Sequence, residues 1–150
     1  MELQTRLFGH LSVSEDKIVY FAEGIPGFEH LQHFVVIILE QTKPFYWLQA
    51  LDEDIALPLI SPFEIDPDYS PVVPADAVQA LKLEREEDLL VLAVAVIPAD
   101  VTAMTANLAA PVLINIVANL GQQVLVEGAV YPVRMPIYDV VYCRLHAGGR

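Results

Sequence analysis

Leu89-Leu90-Val91-Leu92-Ala93-Val94-Ala95-Val96-Ile97 is an uninterrupted apolar run. It is less than half the roughly 20 residues needed to cross a bilayer. Its length and its β-branched content predict a strand that is apolar on both faces. Glu84-Arg85-Glu86-Glu87-Asp88 precedes it as an exposed turn, and Pro98 ends it. Outward from this strand, period-2 alternation dominates the chain. Leu3, Thr5 and Leu7 share one side of the first run, and Leu11 with Val13 resumes the pattern after Gly9. Lys17–Phe21, Phe34–Leu39, Phe45–Leu51 and Ile55–Ile60 read as further strands, with Asp52-Glu53-Asp54 as the hairpin turn between the last two. Val112–Ala118 and Val124–Val130 read as a hairpin about Asn119–Gln123. Eight to ten strands and one or two short helices predict an all-β fold, a small antiparallel β-barrel-like domain covering residues 1–150.

The remaining segments are connections. Gly24-Ile25-Pro26-Gly27 is an ordered loop, because the glycines permit positive φ and Pro26 fixes its own. Glu29–His33 reads as one helical turn. Pro62, Pro67, Pro71 and Pro74 confine residues 61–75 to loop and short edge strand, and Asp76 is placed to cap a helix over Ala77–Leu83. Gly148-Gly149-Arg150 predicts a flexible tail over residues 138–150.

Composition narrows the function. The chain has 150 residues, 55% of them hydrophobic, and a net charge of −12. Residues 52–100 carry 12 acidic and 2 basic side chains. A field of this sign repels phosphate, so direct nucleic-acid binding is not expected. It attracts basic proteins, and it also keeps an apolar domain in solution. The N-terminal residues alternate in polarity without the apolar core of a signal peptide, and no membrane association is expected. The lone Cys143 forms no intrachain disulfide. Both features predict a cytoplasmic protein.

Catalytic and cofactor signatures are missing. Gly24-x-x-Gly27 lacks the Lys and Ser/Thr of a phosphate loop, and no serine sits in a nucleophile elbow. His30 and His33 after Glu29 lack a second ligand cluster of matching spacing, so no metal is expected. Asp52/Asp54 and Asp66/Asp68 read as solvated loop carboxylates rather than a catalytic dyad. Phe45 and Trp47 share one strand face and read as core, or as an aromatic anchor for a partner.

Six short motifs recur through the chain in order. They are Gly24–Glu29, Pro44–Gln49, Pro67–Tyr69, Thr105-Ala106-Asn107-Leu108 running on to Pro111 and Asn115, Asn119–Gln123, and Tyr131–Pro136. In this order and spacing, from about Leu3 to Ile137, the chain resembles the flagellar assembly factor FliW family. Two departures stand out. Ala50 replaces a Ser expected after Trp-Leu-Gln, and Pro58 interrupts a strand that the family runs through. Pro58 therefore predicts an edge strand or bulge.

The resemblance implies a compact β-barrel, no enzymatic activity and no cofactor. It implies binding to flagellin and, when flagellin is secreted, to the RNA-binding regulator CsrA. CsrA would be antagonised from outside its RNA surface, and the free factor would be a monomer. Among the motif residues, the polar Gln49, Asn107, Asn115, Gln123 and Arg134 are candidates for partner contact, or for satisfying buried backbone. Asp52, Glu53, Asp54, Glu86, Glu87 and Asp88 are expected to supply the field that draws a basic partner. The alternative is a barrel that carries a small molecule in its interior.

Overall fold

The computed structural model describes residues 1–127 and 130–147. In chain order the elements are β1 (Glu2–Thr5), β2 (Gly9–Ser12), β3 (Val19–Tyr20), β4 (His33–Ile38), β5 (Phe45–Ala50), β6 (Ala56–Ile60), α1 (Pro62–Ile65), α2 (Ala75–Ala80), β7 (Leu89–Val96), β8 (Thr105–Ala106), β9 (Val112–Asn115), β10 (Leu120–Gln123), β11 (Met135–Pro136) and α3 (Tyr138–Ala147). The expected all-β class is present, with short helices added at the edges.

Seven strands close into a barrel in the order β3-β4-β5-β6-β7-β9-β10 and back to β3. Neighbours run antiparallel except at the closure, where β10 meets β3 in parallel through one residue pair, Leu120 with Tyr20. The β3–β4 joint is also short, with two residue pairs. β7, formed by the long apolar run, is the longest stave. β9 pairs with its first half and β8 with its last residues, and β11 pairs in turn with β8. β1 and β2 form a separate hairpin.

Phe21, Phe34, Leu48, Leu59, Leu92 and Val112 fill the barrel interior, each essentially without solvent contact. Phe21 and Phe34 meet edge to face, with ring centroids 5.1 Å apart. The motif glycine Gly121 lies against the Phe21 ring so closely that even a Cβ would collide with it. Gly24 has φ +66°, and a Cβ there would stand 2.6 Å from the Glu29 backbone, so the loop fits only glycine.

A second core lies outside the barrel, between β7, β8, residue Tyr69 and α3. The flexible tail expected over residues 138–150 is corrected here. Residues 138–147 form α3, because Val141 follows the buried Ile137 by one helical turn and packs with it against Met104. The terminal Gly-Gly-Arg lies outside the described residues.

Tyr69 anchors this second core. Its hydroxyl donates to the Leu108 carbonyl at 2.7 Å, and its ring packs on Tyr131. Burial, and then the neighbouring Tyr131, push its pKa from 10.0 up to about 12. The neutral phenol is thus favoured in the folded state. Stability from this group is intact below pH 10 and is lost as pH rises from 10 towards 12. Tyr69→Phe leaves the Leu108 carbonyl without its donor. It is expected to cost about 1–2 kcal/mol at neutral pH, or roughly 3–6 °C in Tm. Melting curves across pH 9–12 should also be flatter for this variant than for the wild type.

Other elements differ from expectation in detail. The chain turns at residues 116–119 rather than at 119–123, because Asn115 ends β9 and Asn119 takes φ +56°. Leu120–Gln123 is then strand, and Val124–Glu127 is not, apart from a bridge between Val72 and Glu127. Pro58 is neither on an edge strand nor at a bulge. It sits in β6 opposite Trp47, with β7 on the other side. Ala50 donates to the Ile55 carbonyl, so odd-numbered residues of β6 bond β5 and the nitrogen of Pro58 faces β7. The β6–β7 ladder covers only Leu59 and Ile60, so no donor is required at position 58. Residues 62–65 form one helical turn, with Pro62 at its start. α2 starts at Ala75 after Pro74, without a side-chain cap from Asp76.

Candidate partner-binding site

Three of the polar motif residues converge although they lie far apart in sequence. Asn107 follows β8, Gln123 ends β10, and Arg134 precedes β11. All three line one cleft of about 650 Å³, whose apolar lining includes Phe28, Leu57, Val96 and Val133. The loop carrying Phe28 is the Gly24–Glu29 motif.

The two amides are positioned by backbone near them. The Asn107 Oδ1 accepts from Ala109 and Ala110 at 3.0 and 3.1 Å, closing a turn into β9. The Gln123 Nε2 donates to the Ala110 carbonyl at 2.9 Å. Asn107 Nδ2 and Gln123 Oε1 are left without a partner among the described residues. Arg134 is exposed and forms no ion pair among them. An apolar floor with a donor amide, an acceptor amide and a guanidinium at its rim suits a polypeptide that buries side chains and offers backbone or carboxylate groups.

The other candidates fall elsewhere. Gln49 is 1% exposed. Its Nε2 donates to the adjacent Ala50 carbonyl, and its Oε1 has no partner. It lines a separate small pocket of about 200 Å³ with Leu3, Thr5 and Asp52, away from the cleft. Asn115 is buried and wholly engaged. Its Nδ2 donates to the Leu81 and Lys82 carbonyls, and its Oδ1 accepts from Val117 and Ala118. It ties the end of α2 to the β9–β10 turn, a structural role. A neutral amide suits this buried position because it donates at one end and accepts at the other, with no charge to desolvate.

Asp52, Glu53 and Asp54 are exposed. Asp54 accepts from the Arg6 backbone at 2.9 Å, and Glu53 meets His30 at 3.1 Å. His33 stacks near Tyr20 instead, so the two histidines serve different neighbours. Glu86 and Glu87 are exposed and Asp88 is half-buried. The two acidic turns do not form one field. The β6–β7 register puts residues 52–54 beyond the end of β7, whereas residues 86–88 precede its start. The length of β7 separates them by roughly 25 Å. The cleft lies at the end of the barrel nearer residues 52–54, since it takes in Leu57 and Val96.

Sequence reasoning missed Phe28, Leu57, Val96 and Val133 as site residues. Val96 is 61% exposed and Val133 is 59% exposed, and only the closed barrel brings them together. No described helix is long and apolar enough to cross a membrane.

Comparison with known proteins is consistent across sequence and structure. The family model described as "FliW protein" matches residues 2–137. Flagellar assembly factor FliW of Caldicellulosiruptor saccharolyticus is 45% identical over 138 residues, covering 91% of this chain and 90% of the relative. The protein of the same name from Thermoanaerobacter pseudethanolicus is 39% identical over 141 residues, covering 93% and 94%. A crystal structure of the flagellar assembly factor FliW superposes with a TM-score of 0.84 at 30% identity, covering 91% of this chain and 96% of that one.

Proposed function

The chain belongs to the FliW family of flagellar assembly factors, and from that premise we propose that it is a cytoplasmic protein-binding regulator. It holds flagellin. When flagellin is depleted, it binds CsrA, antagonises RNA binding allosterically and relieves repression of flagellin translation. The observation that carries this reading is the convergence of Asn107, Gln123 and Arg134 on one apolar cleft. A binding protein needs such a cleft, with apolar area for affinity and fixed polar groups for register. Phe21, Phe34, Leu48, Leu59, Leu92 and Val112 occupy the barrel interior, which favours this reading over the small-molecule one.

The net charge of −12 supports the second partner. A strongly acidic domain docked beside an RNA-binding surface repels phosphates, and its field speeds encounter with a basic protein. It has no need to touch RNA itself.

Calorimetry tests the reading, with flagellin and CsrA from the same genome titrated separately, then together, at two salt concentrations. Binding to each, with flagellin displacing CsrA, is expected. Binding to neither would sink it. Reversing Asp52, Glu86 and Glu87 to Lys is expected to slow association with CsrA several-fold at low salt. The difference should disappear near 1 M salt, where the screening length falls to about 3 Å. An unchanged on-rate would leave contact chemistry alone as the basis of recognition.

A further inference from the structure

β4 has a partner along its whole length on one side only. Its five residues Phe34–Ile38 pair with β5, but on the other side β3 reaches only His33 and Phe34. The hydrogen-bond parity settles which backbone groups this leaves open. Leu51 donates to the His33 carbonyl, so residues 33, 35 and 37 bond β5. Phe21 donates to the Gln32 carbonyl in the β3 ladder, and Phe34 faces Val19 in the same register. The N–H and C=O groups of Val36 and Ile38 therefore point away from β5, along an edge that no described strand pairs.

A groove of about 680 Å³ runs along this edge. Four consecutive β4 residues, Val35 to Ile38, line it. Successive side chains of a strand alternate between faces, so consecutive residues along one wall mark a strand edge. The opposite wall is Leu11–Ser14, from the β1–β2 hairpin and the residues after it. The floor is apolar and includes Leu90 and Ile114. Ile38 and Ile116 stand exposed at its end.

We infer that this groove takes an extended, basic-flanked polypeptide segment that adds to β4 as an eighth strand. An unpaired backbone edge is matched by another strand, whereas a helix has no free backbone groups along its side. The apolar floor suits apolar residues at every second position of the segment. Charge selects its flanks. Ile116 donates to the Asp88 carbonyl, which places the acidic Glu84–Asp88 turn at one end of the groove. Asp16 and Lys17 both line the wall and offset one another, so the preference for basic flanks comes from the Glu84–Asp88 turn. The groove adjoins Leu90 and Asn119, and the cleft adjoins Val96 and Gln123, so the two occupy opposite ends of the barrel. The inference is thus independent of the partner reading above.

The test uses nine-residue peptides of the form Lys-Thr-Xaa-Thr-Xaa-Thr-Xaa-Thr-Lys, with Val, Ile, Leu or Phe at Xaa, and amide exchange of the intact protein followed by NMR. With peptide bound, the Val36 and Ile38 amides should exchange at least tenfold more slowly. Peptides N-methylated at the backbone amides of one edge should bind at least tenfold more weakly, and peptides with Glu at both ends more weakly as well. Ile38→Pro removes one outward donor and should abolish binding. If that variant does not fold, the N-methylated peptides still decide. No protection by any peptide, equal binding of the N-methylated forms, or protection confined to the cleft would each overturn strand addition.

Discussion

Asn115→Ala is expected to lower stability by about 3 kcal/mol, or roughly 10 °C in Tm. The side chain makes four hydrogen bonds from a buried position. Its Nδ2 holds the carbonyls of Leu81 and Lys82, where the chain leaves α2 through a left-handed residue, Lys82 at φ +53°. Its Oδ1 holds the two amides that begin the β9–β10 turn. Alanine releases both ends together. Asn115→Asp should do no better, because it keeps the acceptor but sets a carboxylate against two carbonyl oxygens. Thermal melts of both variants check this. A loss below about 1 kcal/mol would mean that water replaces the side chain at both ends.

The second large effect is functional. Arg134→Glu should weaken partner binding by about 10–100-fold, the range expected for one lost charge-assisted hydrogen bond of roughly 1.5–3 kcal/mol. Arg134 is exposed and makes no ion pair among the described residues, so Tm should stay within a degree or two of the wild type. Calorimetry with flagellin and with CsrA reads the result. A loss with both would place both partners on the cleft and explain their exclusion of one another. A loss with one would assign the cleft to that partner. Unchanged affinity for both would remove the cleft as the contact.

The staves are legible in the sequence because their signal is local. Leu89–Ile97, Phe34–Leu39, Phe45–Leu51 and Ile55–Ile60 each reappear within a residue or two as β7, β4, β5 and β6. What escapes such reading is set by contacts between distant segments. α3 depends on Val141 finding Met104, and the terminal glycines hide the Tyr138, Val141 and Tyr142 spacing that suggests a helix. Pro58 looks disruptive until its neighbours are known. Of the polar candidates, Asn107, Gln123 and Arg134 share a cleft, while Gln49 and Asn115 turn inward. Residue type alone cannot separate these groups, since an amide serves a buried carbonyl and a partner with the same atoms. The two acidic turns read as one field in sequence, and the β7 register parts them.

The two-residue stave β3 acts as the clasp of a hoop. It is fastened to β4 by two residue pairs and to β10 by one, while every other stave has longer joints on at least one side. A hoop loosens at its clasp, so Val19 and Tyr20 stand at the low-stability end of the barrel's local openings. Phe21 follows directly, and its ring lies so close to Gly121 that not even a Cβ fits between them. Opening at the clasp is expected to part this ring from Gly121 and wet it. The hydration of one phenylalanine thus gauges whether the whole hoop is shut.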